Sequence, residues 1–116
     1  MENLYEMEKQ GDITIINLVI KAVLVDDNEP LKKAFAELVA AGSKNIAVDL
    51  SKTDYVSSLV LASFVFMLKS VKDAGGNLVF CCLNNKIKEL FAMTNLDKIF
   101  DVTATREEAI GRLSKK

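Results

Sequence analysis

The chain has 116 residues and no histidine. Without an imidazole it cannot run Ser-His-Asp or Cys-His catalysis, hold a His-ligated metal or act in a phosphohistidine relay. It also lacks a P-loop and a glycine-rich dinucleotide-binding motif, and its Gly75-Gly76 pair is typical of a helix end. Carboxylate or lysine chemistry stays open, but no pair of those residues has a diagnostic spacing. We therefore expect a binding protein rather than an enzyme, with no catalytic residue, no cofactor and no metal site.

The chain also has little excess charge and no long hydrophobic run. Its 15 Lys and Arg residues are scattered among 16 acidic ones, whereas a nucleic-acid-binding surface needs a basic patch. The longest apolar run, residues 59–68, is interrupted by Ser63 and is too short to cross a membrane. Residues 1–5 do not resemble the start of a signal peptide. We expect a cytoplasmic protein with no direct nucleic-acid contact and no membrane insertion.

Cysteine is scarce as well, while hydrophobic residues are plentiful. Hydrophobic residues make up 50% of the sequence, so a single domain over residues 1–116 can bury a proper core. The two cysteines are adjacent, Cys81-Cys82, in a strand-like run. We interpret them as two small apolar side chains of a reduced protein rather than as a vicinal disulfide or a metal site.

Hydrophobic periodicity predicts strands and helices in alternation. The predicted strands cover residues 4–10, 13–18, 45–50, 77–82 and 101–102, and the predicted helices begin at 26–30, 58, 84–85 and 105–108. The run 22–25 either extends the second strand or forms its exit loop. The second helix, 58–73, is apolar nearly all round over its first ten residues, so we expect it to be largely buried. The order β-β-α-β-α-β-α-β-α predicts an α/β sandwich, a mixed and mostly parallel β-sheet with about four helices.

The segment from Val48 to Leu61 is the most informative part of the chain. An apolar strand ends in a polar turn, and the pair Ser57-Ser58 then opens an apolar helix. Serine is a preferred helix cap, which is the simplest role for the pair. A hydroxyl at a helix N-terminus is also a position where a phosphate is well accommodated. The segment favours a phosphorylatable binding switch over an enzyme.

Three segments resemble the STAS domain, the fold of bacterial anti-sigma factor antagonists, also called anti-anti-sigma factors. They are 48–55, where Val48-Asp49-Leu50-Ser51 and Tyr55 match, 75–81 with its glycine stop and strand, and 85–100, the strongest match. The resemblance covers nearly the whole chain and implies a STAS-like sandwich. It implies a partner that is both anti-sigma factor and serine kinase, whose capture frees the sigma factor for transcription. The phosphorylated serine of these antagonists falls on Ser58.

The chain departs from the family around that serine. The family sequence D-S-S-G-L is replaced here, so that its aspartate is Ser57, its second serine is Leu59 and its glycine is Val60. The resemblance therefore leaves three roles open. The chain is a divergent phosphorylated antagonist, a constitutive STAS binding module that is never phosphorylated, or a small cytoplasmic STAS subunit of a transport ATPase complex.

The expected partner-binding residues lie on two helix starts and one turn. Ser57 and Ser58 open the second helix, and Asp54 precedes them in a turn. Asn84 and Asn85 are predicted to cap the third helix, and the family resemblance implies a docking surface near that helix start. The oligomeric state stays open.

Overall fold

A computed structural model describes residues 4–114 of the chain. These residues form a five-stranded sheet, a second sheet of two short strands, and four α-helices. The strands are β1 (Tyr5–Gln10), β2 (Ile13–Leu18), β3 (Ala22–Val23), β4 (Asn45–Asp49), β5 (Tyr55–Val56), β6 (Asn77–Cys81) and β7 (Asp101–Thr103). The helices are α1 (Asn28–Ala40), α2 (Ser58–Asp73), α3 (Asn85–Met93) and α4 (Arg106–Ser114). Within residues 4–114 no helix is long and apolar enough to span a bilayer.

The large sheet has the strand order β1-β2-β4-β6-β7. β1 and β2 pair antiparallel through a turn in which Gly11 has a φ of +60°, a conformation that glycine adopts without steric cost. The pairs β2–β4, β4–β6 and β6–β7 are all parallel. The predicted fold class and the order of the main elements are therefore confirmed.

Alternate residues of the large sheet face two separate hydrophobic clusters. The larger cluster joins Ile16, Ile46, Val48, Leu78 and Phe80 of the strands to Leu31, Phe35, Phe64, Met67, Ile87 and Phe91 of α1, α2 and α3. The Phe80 ring lies at its centre, 5.1 Å from the Phe64 centroid and 4.6 Å from that of Phe100. The smaller cluster joins Ile13, Ile15, Ala47, Val79 and Cys81 to Ala109 and Leu113 of α4. Of the helices in the described chain, only α4 contributes to the second cluster.

Three of the predicted helix starts, those of α2, α3 and α4, are confirmed by their capping hydrogen bonds. The Glu108 amide donates to Thr105 Oγ1 and the Thr105 amide donates to Glu108 Oε1, each at 3.1 Å, which is a reciprocal capping box at α4. The first helix differs from the prediction. A short 3-10 turn, Val25–Asp27, comes before α1, and Asp27 Oδ2 accepts from the Leu24 amide instead of capping α1.

The expectation that α2 begins as a largely buried helix is wrong for one face. Val60, Leu61, Phe64 and Met67 are buried, but Ser58, Leu59 and Ala62 are exposed, and Phe66 is 63% exposed. The helix packs on α1 and β6, which cover only part of its circumference. The apolar residues on every side of α2 therefore do not show that every side of the helix is buried.

The run 22–25 is neither an extension of β2 nor a plain loop. Ala22 pairs with Tyr55, and Val23 pairs with Val56, in the parallel sheet formed by β3 and β5. A strand of two residues shows no periodicity, which is why the sequence pattern did not reveal this sheet. Its consequence is that the chain entering α2 is held by backbone pairing.

Candidate functional site

Ser57 and Ser58 occupy two different environments at the start of α2. Ser57 is the N-cap, with extended backbone, and its buried Oγ accepts a hydrogen bond from the Val60 amide at 3.3 Å. Ser58 is the first residue of the helix and is exposed. The predicted cap is therefore Ser57, while the hydroxyl of Ser58 faces solvent where the helix dipole and the first amides favour negative charge.

The backbone before α2 is hydrogen-bonded to β3 and to Lys21, the residue before that strand. The Asp54 amide donates to the Lys21 carbonyl at 2.7 Å, and the Tyr55 amide donates to the same carbonyl at 3.2 Å. The Ser57 amide donates to the Val23 carbonyl at 2.9 Å. This pairing fixes the direction in which α2 begins and hence the position of Ser58.

Asp54 and Asn84, predicted as parts of one surface, are in direct contact. Asn84 Nδ2 donates to Asp54 Oδ1 at 2.6 Å and to the Thr53 carbonyl at 3.0 Å. The Oδ1 atom of Asn84 accepts from the Ile87 amide at 2.9 Å and so caps α3. The other oxygen of Asp54 lies 3.9 Å from Lys21 Nζ. One asparagine thus joins the start of α3 to the segment that leads into α2.

Asn85 does not share the capping role that the sequence suggested for the pair. The cap of α3 is Asn84, and Asn85 is the first residue of the helix, with an exposed side chain. It lies next to the Asn84–Asp54 contact, where its side chain is open to solvent.

Four large apolar side chains around Ser58 are exposed, a feature that the sequence analysis missed. Leu24, Val25, Tyr55 and Leu59 are between 47% and 58% exposed. Leu24 and Val25 directly follow β3, Tyr55 lies on β5 and Leu59 on the first turn of α2, and we call these four residues the apolar patch. The run 22–25 was predicted either to extend β2 or to form its exit loop, and neither alternative indicated that Leu24 and Val25 belong to an exposed apolar group. Exposed apolar residues grouped on adjoining segments are typical of a protein-binding surface.

A second polar group lies at the carboxyl end of β4, on the side of the sheet that α4 covers. Arg106 Nη2 donates to Asp49 Oδ2 at 2.8 Å and Arg106 Nη1 donates to Glu8 Oε1 at 3.1 Å, while Asp49 Oδ1 accepts from the Ser51 amide at 2.8 Å. Burial raises the pKa of Asp49, but the bonds from Ser51 and Arg106 outweigh it and hold that pKa below its ordinary value. Asp49 and Arg106 are 57 positions apart, so no local pattern pairs them.

A family model of the STAS domain matches residues 5–109. The chain belongs to the STAS domain family. The chain is 32% identical over 81 residues, 70% of each protein, to BtrV of Bordetella bronchiseptica. BtrV is named as a proposed anti-sigma factor antagonist. A Thermotoga maritima crystal structure described in the same terms superposes with a TM-score of 0.89 at 26% identity, covering 96% of this chain and 95% of that one.

The same fold occurs in more distant proteins. SpoIIAA, an anti-sigma factor antagonist solved in its unphosphorylated form, superposes with a TM-score of 0.74 at 13% identity, over 97% of this chain and 99% of that one. At that identity the likeness concerns the fold alone. The fold implied by the residues at 48–55, 75–81 and 85–100 is thereby confirmed.

In this STAS domain the departures from the family motif have clear positions. Val60, at the glycine position, is fully buried, and its side chain packs in the larger cluster. Leu59, at the second serine position, is part of the apolar patch. Of these two departures, Val60 therefore packs in the core, and only Leu59 changes the surface beside Ser58.

Proposed function

We propose that this STAS domain is an anti-sigma factor antagonist whose partner is an anti-sigma factor with serine kinase activity. The docking surface consists of the apolar patch together with Asp54, Ser58, Asn84 and Asn85. Ser57, predicted as part of it, is buried and supports the surface as the cap of α2. The observation that carries the proposal is the exposed Ser58 at the N-terminus of α2, beside exposed apolar residues and next to a serine that already caps the helix. As such an antagonist it acts in the cytoplasm, as one domain over residues 1–116, and binds rather than catalyses.

Phosphorylation of Ser58 supplies the control of binding in this proposal. A phosphate adds about −1.5 to −2 charge at neutral pH. The helix N-terminus stabilises such a charge by roughly 0.3–1 kcal/mol, so the fold tolerates it. A partner that covers Leu59 and Tyr55 would have to desolvate the phosphate, and the cost of that desolvation lowers the affinity.

Charge at Ser58 tests this mechanism directly. We expect Ser58→Ala to bind a cognate anti-sigma factor as the wild type does, and Ser58→Asp to bind at least about tenfold more weakly, a difference of about 1.4 kcal/mol. Ser114→Asp is the matched control, because it adds the same charge at an exposed residue of α4. Isothermal titration calorimetry measures all three affinities. Equal affinities for Ser58→Ala and Ser58→Asp would remove the switch and leave a constitutive binder.

The identity of the acceptor is tested separately with candidate partner kinases and ATP. Intact mass and peptide mapping are expected to find one phosphate on Ser58. Ser57→Ala is the control that should still be modified, since Ser57 is buried and its Oγ accepts from Val60. A phosphate mapped to Ser57, or none with any kinase that binds the chain, contradicts the proposed acceptor.

The motif departures favour one alternative, a small STAS subunit of a transport ATPase complex. Leu59 replaces a serine with an exposed apolar side chain, and that exchange strengthens a permanent interface. Affinity purification separates the two roles, because the antagonist should retain a serine kinase and the subunit should retain an ATPase. Recovery of the ATPase with both Ser58→Ala and Ser58→Asp would replace the antagonist proposal.

A further inference from the structure

The alternation of side chains along β6 breaks at its last residue. Cys81 ends the strand with its side chain in the smaller cluster, so the next residue of a regular strand would face the opposite side of the sheet. Cys82 instead has a φ of +64°, a left-handed conformation that non-glycine residues rarely adopt. Its side chain packs against the same cluster. The two consecutive thiols therefore lie on one side of the sheet.

The thiols meet a carboxylate from the neighbouring strand. Asp49 pairs with Cys81 in the β4–β6 register, and one ligand atom from each of Asp49, Cys81 and Cys82 lies within 4.8 Å of the other two. Zn–S bonds of about 2.3 Å and Zn–O bonds of about 2.0–2.2 Å bring donors to within roughly 4 Å of each other. The three donors therefore lie within about 1 Å of the separations that one such ion requires.

The surroundings of Asp49 suit a charged centre of this kind. Two thiolates, one carboxylate and a divalent ion leave one negative charge, and the Arg106 guanidinium lies 2.8 Å from Asp49 Oδ2 to offset it. Because Arg106 also pairs with Glu8, the whole group keeps one negative charge. Arg106 and the Ser51 amide also fix the orientation of the carboxylate, as outer partners of metal ligands commonly do.

A separate observation comes from Asn17, the residue paired with Asp49 in the β2–β4 register. Asn17 is only 8% exposed, and its buried Oδ1 atom has no hydrogen-bond partner within residues 4–114. Buried polar atoms without a partner are rare and costly. By register Asn17 lies on the same face of the sheet as Asp49, on the neighbouring strand, which makes its carbonyl oxygen a candidate fourth donor.

We propose that Asp49, Cys81 and Cys82 form a binding site for one borderline-soft divalent cation of the zinc class. The fourth ligand is Asn17 Oδ1 or a water molecule. The ion enters from the side of the partly exposed Cys82, because Cys81 is fully buried. The site lies on the α4 side of the sheet, away from the cluster that α2 joins, and it stands independently of any role for Ser58.

Oxidation of the pair to a disulfide is the competing chemistry at these thiols. Burial raises the pKa of both Cys81 and Cys82. A cation that binds here has to displace the thiol protons, so its affinity should rise with pH.

The test uses the full chain, reduced with a non-thiol reductant and freed of metal. Titration with Co²⁺ is expected to saturate at one equivalent, with a thiolate-to-cobalt charge-transfer band and the visible bands of a tetrahedral ion. Zn²⁺ should displace the cobalt, and competition with a chromophoric chelator gives its affinity. Cys82→Ser is expected to weaken the zinc affinity at least about tenfold and to reduce the charge-transfer band.

Controls separate this site from ordinary surface binding. Glu37→Gln, an exposed carboxylate on α1, should leave the affinity and the spectrum unchanged. Asp49→Asn should weaken binding, but it also removes the ion pair with Arg106, so circular dichroism must first show that it is folded. The proposal is overturned if wild-type protein gives no charge-transfer band or if Cys82→Ser binds zinc as wild type does.

Discussion

At the scale of single residues, Ser57 and Ser58 show how neighbouring hydroxyls take separate roles. Ser57 satisfies an amide of the first turn of α2, and Ser58 satisfies none in the capping geometry. We expect Ser57→Ala to lower the free energy of unfolding by about 1 kcal/mol, the usual loss for a serine cap. Ser58→Ala should change it by less than about 0.5 kcal/mol, as exposed substitutions do. Urea unfolding followed by circular dichroism measures both, and equal losses would show that the cap is not confined to Ser57.

Residue roles were predictable from the sequence where their chemistry is local. The capping bonds of Ser57 and of the Thr105–Glu108 pair join residues only three positions apart, so the local sequence predicts them. The Asp49–Arg106 ion pair joins strand to helix across the whole fold, and the left-handed backbone of Cys82 depends on how β6 ends. Such contacts are set by tertiary packing, which a single sequence does not display.

At the scale of elements, Asn84 connects α3 to the segment before α2. Asn84→Ala removes the helix cap and both Nδ2 donors, and we expect it to lower stability by about 1–3 kcal/mol. Hydrogen exchange should also become faster at the Tyr55 and Ser57 amides, because the segment loses its anchor. Asn85→Ala is the matched control, one residue further on and exposed, and is expected to change neither quantity. Unchanged exchange in Asn84→Ala would contradict this link between the two elements.

The turn between α2 and β6 depends on the absence of a side chain at Gly76. A Cβ at this position would lie far inside contact distance of the Lys44 carbonyl oxygen, which belongs to backbone and cannot move aside. Gly76→Ala should therefore destabilise the fold by about 1–3 kcal/mol, the usual range for overpacking. Gly111→Ala, in α4 with open space around its Cα, should stabilise the fold by about 0.5–1 kcal/mol. Thermal unfolding of both variants measures the difference, and a stable Gly76→Ala protein would show that β4 can shift.

At the scale of the whole molecule, the alternation of apolar strands and helices was enough to predict the fold, because each main element carries its own periodicity. The small sheet of β3 and β5 was not predictable, since its strands are too short to alternate. The exposure of Phe66 and of the apolar patch was not predictable either, because the sequence shows which residues are apolar but not which of them remain exposed. The small sheet and the apolar patch adjoin the start of α2, and the docking proposal rests on them.

The two hydrophobic clusters share the strands of one sheet, which couples their stability. Ile15 and Ala47 face α4, while Ile16 and Ile46 of the same strands face the larger cluster. We expect Leu113→Ala, which opens a cavity under α4, to lower the stability of the entire domain by about 2–5 kcal/mol. Cooperative unfolding then predicts one urea midpoint for far-ultraviolet circular dichroism and for the fluorescence of Tyr5, which packs against the larger cluster.

The fluorescence is measured in a Tyr55→Phe background, since the chain has two tyrosines and no tryptophan. Leu113→Ala should move both midpoints equally and leave the denaturant slope unchanged. Ser114→Ala, the exposed neighbour on the same helix, is expected to move neither. If circular dichroism reports an earlier transition than Tyr5 in Leu113→Ala, then α4 unfolds independently and the second face of the sheet is a separate unit.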